Sequence, residues 1–130
     1  MDNLQIVKEV YRLFGERNMP ALLTHFHKDI EFVRPGNVDI PFAGTFKGID
    51  GLRQMFTIIS QSIRLKNFTP EKFFTNDDMV VVLGSDTAEV IATGKSYTST
   101  WVQSFTLKDR KIIHVQAYFD TLAIAHAFHP

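Results

Sequence analysis

The chain has 130 residues, fourteen acidic and fourteen basic side chains, and no cysteine. A chain of this length forms one domain, so we expect a single unit over residues 1–130. The balanced charge argues against nucleic acid or an anionic membrane as a partner, and the lack of cysteine excludes disulfides and thiolate chemistry. No signal peptide and no apolar run of about 18 residues is visible, which predicts a cytoplasmic protein that does not enter a membrane.

Three helices are predicted in the first half of the chain. The first covers residues 2–16, where apolar side chains recur at helical spacing, and a second, short helix begins at Asn18 and Pro20 and ends near Lys28. Residues 30–35 alternate as a short strand, followed by a loop to Gly48. Apolar residues at helical spacing from Leu52 to Ile63 predict the third helix.

The second half is predicted to be a sheet. Residues 67–74, 79–91, 97–107 and 112–119 are rich in strand formers and are joined by short turns, which is typical of an antiparallel meander. Two of these strands are long enough to curl, and Asp120 is a good N-cap for a short final helix. The pattern predicts an α+β fold in which a cone-shaped, antiparallel or mixed sheet wraps around three N-terminal helices and encloses an apolar pocket.

Several segments together resemble a known family. They are Ala-Thr-Gly-Lys-Ser-Tyr at 92–97, the hairpin at 105–112, Tyr-Phe-Asp-Thr at 118–121, and the stretch from Pro35-Gly36 through residues 42–48. They are similar to SnoaL-like proteins of the nuclear transport factor 2-like superfamily, which also contains ketosteroid isomerase and limonene epoxide hydrolase. The resemblance covers nearly the whole chain. It implies a pocket at the open end of the cone and, commonly, a homodimer through the convex sheet face.

Strand alternation assigns side chains to the two faces. Ile113, Val115, Ala117 and Phe119 share one face of the last strand, and Trp101, Gln103, Phe105 and Leu107 share one face of the strand before it. We expect these sets to face the pocket. The opposite face is then available to water or to a second subunit, and its side chains are Ser104, Thr106, His114, Gln116 and Tyr118.

The resemblance to ketosteroid isomerase indicates which polar groups are present. The position of its Asp base falls on Arg34, that of its oxyanion-binding Asp on Gln103, and that of its Tyr on Val10, with Tyr11 next to it. None of these three ketosteroid isomerase residues therefore has the same residue type at the matching position of this chain. Gln103 can still donate a hydrogen bond to a ligand carbonyl, as can Tyr11 if the helix register differs by one residue.

The resemblance to limonene epoxide hydrolase and the cyclases concerns the last strand, where a carboxylate often occupies the position of Ala117. Asp120 ends this strand, but its role as a helix cap already explains it better than a catalytic role. Asp86 is the remaining acid on the pocket-facing register. We expect Asp86 to pair with Arg34 and to be held ionised by it, which suits ligand anchoring more than proton transfer.

Histidines and glycines have simpler interpretations. His25 and His27 are placed on the end of the second helix, pointing to different sides, and His126 and His129 lie in the C-terminal segment without a third ligand. The glycine spacing does not fit a phosphate-binding loop. We therefore expect neither a metal nor a cofactor.

These observations favour a cofactor-independent isomerase, cyclase or hydrolase that acts on a small hydrophobic carbonyl compound. Its candidate catalytic residues are Arg34, Asp86 and Gln103. The candidate ligand-binding residues are mostly aromatic or apolar, and they are Tyr11, Phe14, Phe32, Phe42, Phe56, Trp101, Val115, Ala117 and Phe119. The alternative is a non-catalytic ligand-binding or dimerisation module of the same fold, because the family's usual carboxylates are missing at positions 34, 103 and 117.

Overall fold

A computed structural model describes residues 1–130. Its helices are α1 (Asn3–Gly15), α2 (Met19–Leu23), α3 (Gly48–Ser62) and α4 (Thr121–Phe128). Its strands are β1 (Phe26–Arg34), β2 (Gly44–Lys47), β3 (Ile63–Asn76), β4 (Met79–Val90), β5 (Ser96–Lys108) and β6 (Lys111–Phe119). None of the helices combines the length and the hydropathy that are needed to cross a membrane.

The six strands form one mixed sheet in the order β2-β1-β6-β5-β4-β3. Strands β3 to β6 are an antiparallel meander, as the short turns predicted, whereas β1 runs parallel to β6. The sheet curls around the helices without closing on itself. The predicted α+β fold is therefore confirmed, and of the two expected kinds of sheet, antiparallel or mixed, the structure has the mixed one.

Short-range hydrogen bonds fix where three of the helices begin. Asp2 and Gln5 form a capping box at α1, in which each side chain accepts a hydrogen bond from the other residue's backbone N–H at 2.8 Å. The Asn18 side chain caps α2, which has Pro in its first turn, and Asp120 accepts from the backbone N–H of Ala123 at 3.1 Å to cap α4. The cap predicted at Asp120 is confirmed.

Three boundaries differ from the prediction. Helix α2 ends at Leu23, so residues 26–28 already belong to β1. The loop that was expected to reach Gly48 contains β2, which is short, mostly exposed and lacks an alternating apolar pattern. Strand β3 begins directly after α3, at Ile63, because its first exposed residues gain their strand conformation by pairing with β4.

A bulge shifts the alternation of β6 at its start. Thr106 pairs with His114, but Leu107 pairs with Ile112, so one residue of β6 has no partner in the ladder. Ile112 is fully buried as a result, and Ile113 is not part of the core. The assignment of Ile113 to the pocket-facing set is therefore wrong, although Val115, Ala117 and Phe119 lie on the expected face.

The apolar interior has two parts. The larger one packs α1, α2 and α3 onto the concave face of the sheet and includes Leu22, Met55 and Phe105. The smaller one lies under α4 and includes Val90, Tyr97 and Ile124. Phe119 contacts both, so the last strand joins the two parts of the core.

Gly84 is required by close packing between β4 and the indole of Trp101. A Cβ atom at this position would lie 2.3 Å from Trp101 Cζ2 and 2.6 Å from the backbone oxygen of Thr69. Trp101 in turn stacks on Phe68 of β3, with ring centroids 5.0 Å apart. The missing side chain therefore allows an aromatic stack to cross the curled part of the sheet.

We predict that Gly84→Ala lowers the free energy of unfolding by about 1–3 kcal/mol, the usual cost of overpacking a well-filled interior. Urea unfolding followed by tryptophan fluorescence measures the change. Gly15→Ala is the matched control, because nothing lies within 4 Å of a Cβ atom there, and it should leave stability unchanged or slightly higher. Equal effects of the two substitutions would contradict this role of Gly84.

Candidate functional site

The concave side of the sheet contains a cavity of about 70 Å³ between the helices and strands β1, β3, β4, β5 and β6. Most of its lining is apolar. Five polar side chains interrupt this lining, and they are Tyr11, Arg34, Asp86, Tyr97 and Gln103. All three residues that were predicted to be catalytic therefore line one cavity.

Arg34, the last residue of β1, is held by aromatic rings. Its guanidinium carbon lies 4.6 Å from the ring centroid of Phe119, 5.0 Å from that of Phe42 and 5.9 Å from that of Phe32. Its Nε atom is buried and has no hydrogen-bond partner within the protein. Burial lowers the pKa of Arg34 to about 10, which leaves the guanidinium charged at neutral pH.

Asp86 projects into the same cavity from β4, opposite Ser99 of β5. Only 7% of the residue is exposed, and its Oδ1 atom is buried without a hydrogen-bond partner. Burial raises the pKa of Asp86 to about 6, and the charge of Arg34 opposes this shift only in part. The carboxylate is therefore basic enough to accept a proton near neutral pH.

The relation between Asp86 and Arg34 differs from the expectation. The two residues share the cavity and influence each other's pKa, but none of the ion pairs within 4.0 Å joins them. The expected ion pair is therefore not formed, and desolvation of the carboxyl group raises the pKa of Asp86 by more than the charge of Arg34 lowers it.

Tyr11 and Gln103 form a hydrogen-bonded pair on the cavity wall. The Tyr11 hydroxyl donates to Gln103 Oε1 at 2.6 Å, and burial raises the pKa of Tyr11, so the hydroxyl stays protonated. The bond fixes the amide so that its NH₂ group is the part left to donate to a ligand. The single hydroxyl hydrogen of Tyr11 is engaged in this bond, so in this structure Tyr11 orients Gln103 and does not make the direct donation to a ligand carbonyl that was predicted for it.

Tyr97 is a polar cavity residue that sequence reasoning missed. It lies at the start of β5 and pairs with Ala88 of β4. Burial and the neighbouring charge of Asp86 both raise its pKa, so it is a neutral hydrogen-bond donor. The alternation that links Trp101 to Gln103 reaches Tyr97 when it is continued four residues toward the N-terminus, which is the signal that identifies it.

The structure brings some of the predicted wall residues to the cavity and not others. Tyr11, Phe14, Phe32, Phe56 and Phe119 line the cavity, together with further apolar residues that were not named as ligand-binding, among them Phe68, Leu65 and Ile63. Four predicted residues, Phe42, Trp101, Val115 and Ala117, are absent from the lining. Val115 and Ala117 are fully buried in the sheet, Trp101 is covered by Phe68, and Phe42 packs on Arg34 and Phe128.

A larger cleft of about 1500 Å³ opens outside the cavity. It is bounded by α1, α2, α3, the start of β1 and the start of β3. Several aromatic and apolar side chains line both spaces, including Phe14, Phe56 and Phe68. The inner cavity is therefore the floor of a wider entrance.

The remaining predicted features lie elsewhere. No group of three or more His, Cys, Asp or Glu side chains is placed to hold a metal ion. His27 is on β1 and His25 precedes that strand, so their assignment to the end of α2 is wrong. Asp120 is exposed, caps α4 and does not line the cavity.

A curled α+β cone with helices on its concave face and an apolar cavity beneath them defines the nuclear transport factor 2-like class. Within that class, the sequence matches the family described as SnoaL-like domain over residues 7–115, and the chain belongs to this family. Comparison with curated protein sequences gave no match.

Similar solved structures agree with this assignment. A nuclear transport factor 2-like protein from Burkholderia xenovorans is 31% identical, with a TM-score of 0.90 over 98% of this chain and 95% of that one. TerC, co-crystallised with polyporic acid, is 28% identical, with a TM-score of 0.81 over 98% of both chains. A protein from Mesorhizobium loti described as a SnoaL-like polyketide cyclase shares the fold at 21% identity, with a TM-score of 0.76 over 91% of this chain and 99% of that one.

The raised pKa of Asp86 predicts a pH-dependent effect of Asp86→Asn on stability. The Asp86 carboxyl group holds its proton more tightly in the folded protein than in the unfolded chain. The stability that the protonated group contributes is therefore complete below pH 3.8 and is lost as the pH rises through about 6. The variant should therefore melt at a higher temperature than the wild type above pH 6, and the difference should disappear below about pH 4.

Thermal melts across this pH range measure the effect. Asp78→Asn, which removes an exposed carboxylate from the β3–β4 turn, is the control for the loss of one negative charge. If Asp86→Asn destabilises the protein equally at every pH, then burial of the ionised Asp86 carboxylate does not cost stability as inferred here.

Proposed function

We propose that the protein is an enzyme that moves a proton beside a carbonyl group of a small, largely apolar molecule, in an isomerisation or a ring closure. Asp86 is the base, and Arg34 binds the carbonyl oxygen. The reaction needs no cofactor, because two side chains supply both the base and the electrophilic group. TerC, the relative co-crystallised with polyporic acid, supports a small organic molecule as the ligand.

The observation that carries this proposal is a pair of buried polar atoms in one cavity, Asp86 Oδ1 and Arg34 Nε, that have no partner within the protein. Leaving such atoms unsatisfied costs free energy, so their presence requires an explanation. A carbonyl-bearing ligand provides one, since its oxygen accepts from Arg34 while its acidic C–H group faces Asp86. Perturbed ionisable groups in an apolar cavity are typical of active sites.

The chemical step follows from these positions. Asp86 removes a proton from the carbon next to the carbonyl, and the electron pair of the broken C–H bond moves onto the carbonyl oxygen to form an enolate. Arg34 stabilises the negative oxygen, and the amide NH₂ of Gln103 is a second donor. Asp86 then returns the proton to a different carbon in an isomerisation. In a ring closure the enolate carbon attacks a second carbonyl of the same molecule, and Asp86 returns the proton to the alkoxide oxygen that this attack forms.

Proton exchange tests the base directly. We predict that the protein catalyses exchange of the acidic α-protons of 2-tetralone, a small apolar ketone, with solvent deuterium, and that Asp86→Asn lowers this rate by about 10²- to 10⁴-fold. The wild-type rate should fall on the acid side of pH 6, because the protonated carboxyl group cannot accept a proton. Exchange is followed by NMR, and Asp78→Asn is the control.

The same samples separate catalysis from simple binding. Thermal-shift titration with polyporic acid and with 2-tetralone shows whether each ligand binds. Binding without exchange would overturn the enzymatic proposal and support the alternative, a ligand-binding module. Arg34→Met should lower the exchange rate while Asp86 remains available, so an unchanged rate in this variant would remove Arg34 from the mechanism.

We also propose that the convex face of the sheet forms a homodimer. Leu83, Val102 and Tyr118 lie next to one another across β4, β5 and β6 on this face, and Tyr118 is 55% exposed. Polar groups surround them, among them Ser104, Thr106, His114 and Gln116. An apolar centre with a polar rim is suited to a two-fold interface.

We predict that Val102→Lys converts a dimer into a monomer, because the two-fold axis would bring two added charges together in an apolar contact. Light scattering coupled to size-exclusion chromatography gives the mass. Thr75→Lys, on the exposed edge strand β3, should leave the mass unchanged. A monomeric wild type at high concentration would contradict the proposal.

A further inference from the structure

Every charged residue that lines the outer cleft is basic. The protein as a whole has equal numbers of acidic and basic groups, so the excess of positive charge is a feature of this cleft and not of the whole chain. The five residues come from the α1–α2 connection, β1, α3 and β3, and they are Arg17, Lys28, Arg53, Arg64 and Lys66. The fold, not one basic segment of the sequence, brings them around the entrance.

Three of these bases are free of a carboxylate partner. Arg53 pairs with Asp50 at 2.8 Å and Arg64 pairs with Glu89 at 3.0 Å. Arg17, Lys28 and Lys66 are exposed and take part in none of the ion pairs of the structure. The positive charge at the cleft is therefore only partly compensated by the protein.

The walls between these bases are apolar and continue inward. Leu23 and Ile49 line only the outer cleft, whereas Phe14, Phe56 and Phe68 line both the cleft and the inner cavity. A ligand that fills both spaces would meet apolar side chains along its length and positive charge only at the entrance. This arrangement is complementary to a molecule that is apolar at one end and anionic at the other.

We infer that the ligand is an amphipathic anion. Its apolar part occupies the inner cavity, and a carboxylate or phosphate group remains at the entrance beside Arg17, Lys28 and Lys66. The assignment of the reacting carbonyl to the inner cavity rests on the proposed function, but the charge of the outer end does not. Exposed positive groups add modest affinity and also attract the ligand over a distance, and both effects weaken in salt.

Two fluorescent probes that differ in one charged group test this inference. They are 8-anilinonaphthalene-1-sulfonate, which carries an anionic sulfonate on an apolar aromatic body, and N-phenyl-1-naphthylamine, which is the same body without the charge. We expect the anionic probe to bind more tightly. Its advantage should shrink as the ionic strength rises from about 0.01 M to about 1 M, since the Debye length falls from about 30 Å to about 3 Å.

A double variant, Lys28→Gln with Lys66→Gln, shows whether the tighter binding of the anionic probe comes from the basic residues of the cleft. We expect it to weaken binding of the anionic probe about 2- to 25-fold, the product of two exposed charge interactions, and to leave binding of the neutral probe unchanged. The matched control is Lys72→Gln with Lys108→Gln, which removes the same charge from residues outside the cleft. Equal binding of the two probes, or equal effects of the two double variants, would overturn the inference.

Displacement of N-phenyl-1-naphthylamine by laurate, dodecyl phosphate and dodecanol then identifies the anionic group. Tighter binding of either anion than of dodecanol supports the inference, and the stronger anion shows whether carboxylate or phosphate is preferred. Dodecanol binding as tightly as both anions would contradict it. These measurements involve no turnover, so their outcome is separate from that of the Asp86→Asn exchange assay.

Discussion

The candidate site depends on the burial of two opposite charges, Arg34 and Asp86, in one apolar interior without a direct contact between them. Each is shifted toward its neutral form by desolvation, with a pKa of about 10 for Arg34 and about 6 for Asp86. A protein selected only for stability gains nothing from this arrangement, since apolar residues of similar size would fill the space without the desolvation cost. The aromatic rings around Arg34 compensate for part of that cost, because their faces attract a cation and exclude water.

The curl of the sheet is what brings the two charges into one cavity. Arg34 is on β1 and Asp86 on β4, and the strands β6 and β5 lie between them in the sheet. In a flat sheet, three strand spacings would separate the two backbones by about 14 Å, with both side chains pointing in parallel. Curvature turns the side chains toward a common centre, and the packing of Trp101 over Gly84 is one of the contacts that shapes the curved part.

The sequence predicts a structural feature well when that feature is determined by residues that are close together in the chain. The helix caps and the alternation of β4 and β5 are local, so the placement of Asp86 and Gln103 on the concave face was predicted correctly. Strand alternation shows which face of the sheet a side chain is on, but not whether other residues lie between that side chain and the cavity. For this reason Trp101, Val115 and Ala117 were expected at the cavity, although they are buried behind other side chains. Strand β2 was missed because its conformation comes from pairing with β1 rather than from its own pattern. The ionisation of Asp86 required three-dimensional burial, since a nearby Arg34 alone predicted the opposite shift.

The parallel pairing of β1 with β6 has a consequence for how the protein reaches this structure. Glu31 and His114 are neighbours in that ladder, although almost the whole sheet separates them in the sequence. Contacts of such long range make folding slow, because loop closure has to precede the stabilising contacts. During synthesis the parallel neighbour of β1 is missing until β6, the last strand, has emerged from the ribosome. The newly made chain therefore exposes an unpaired strand edge, which favours aggregation, until the last strand completes the sheet.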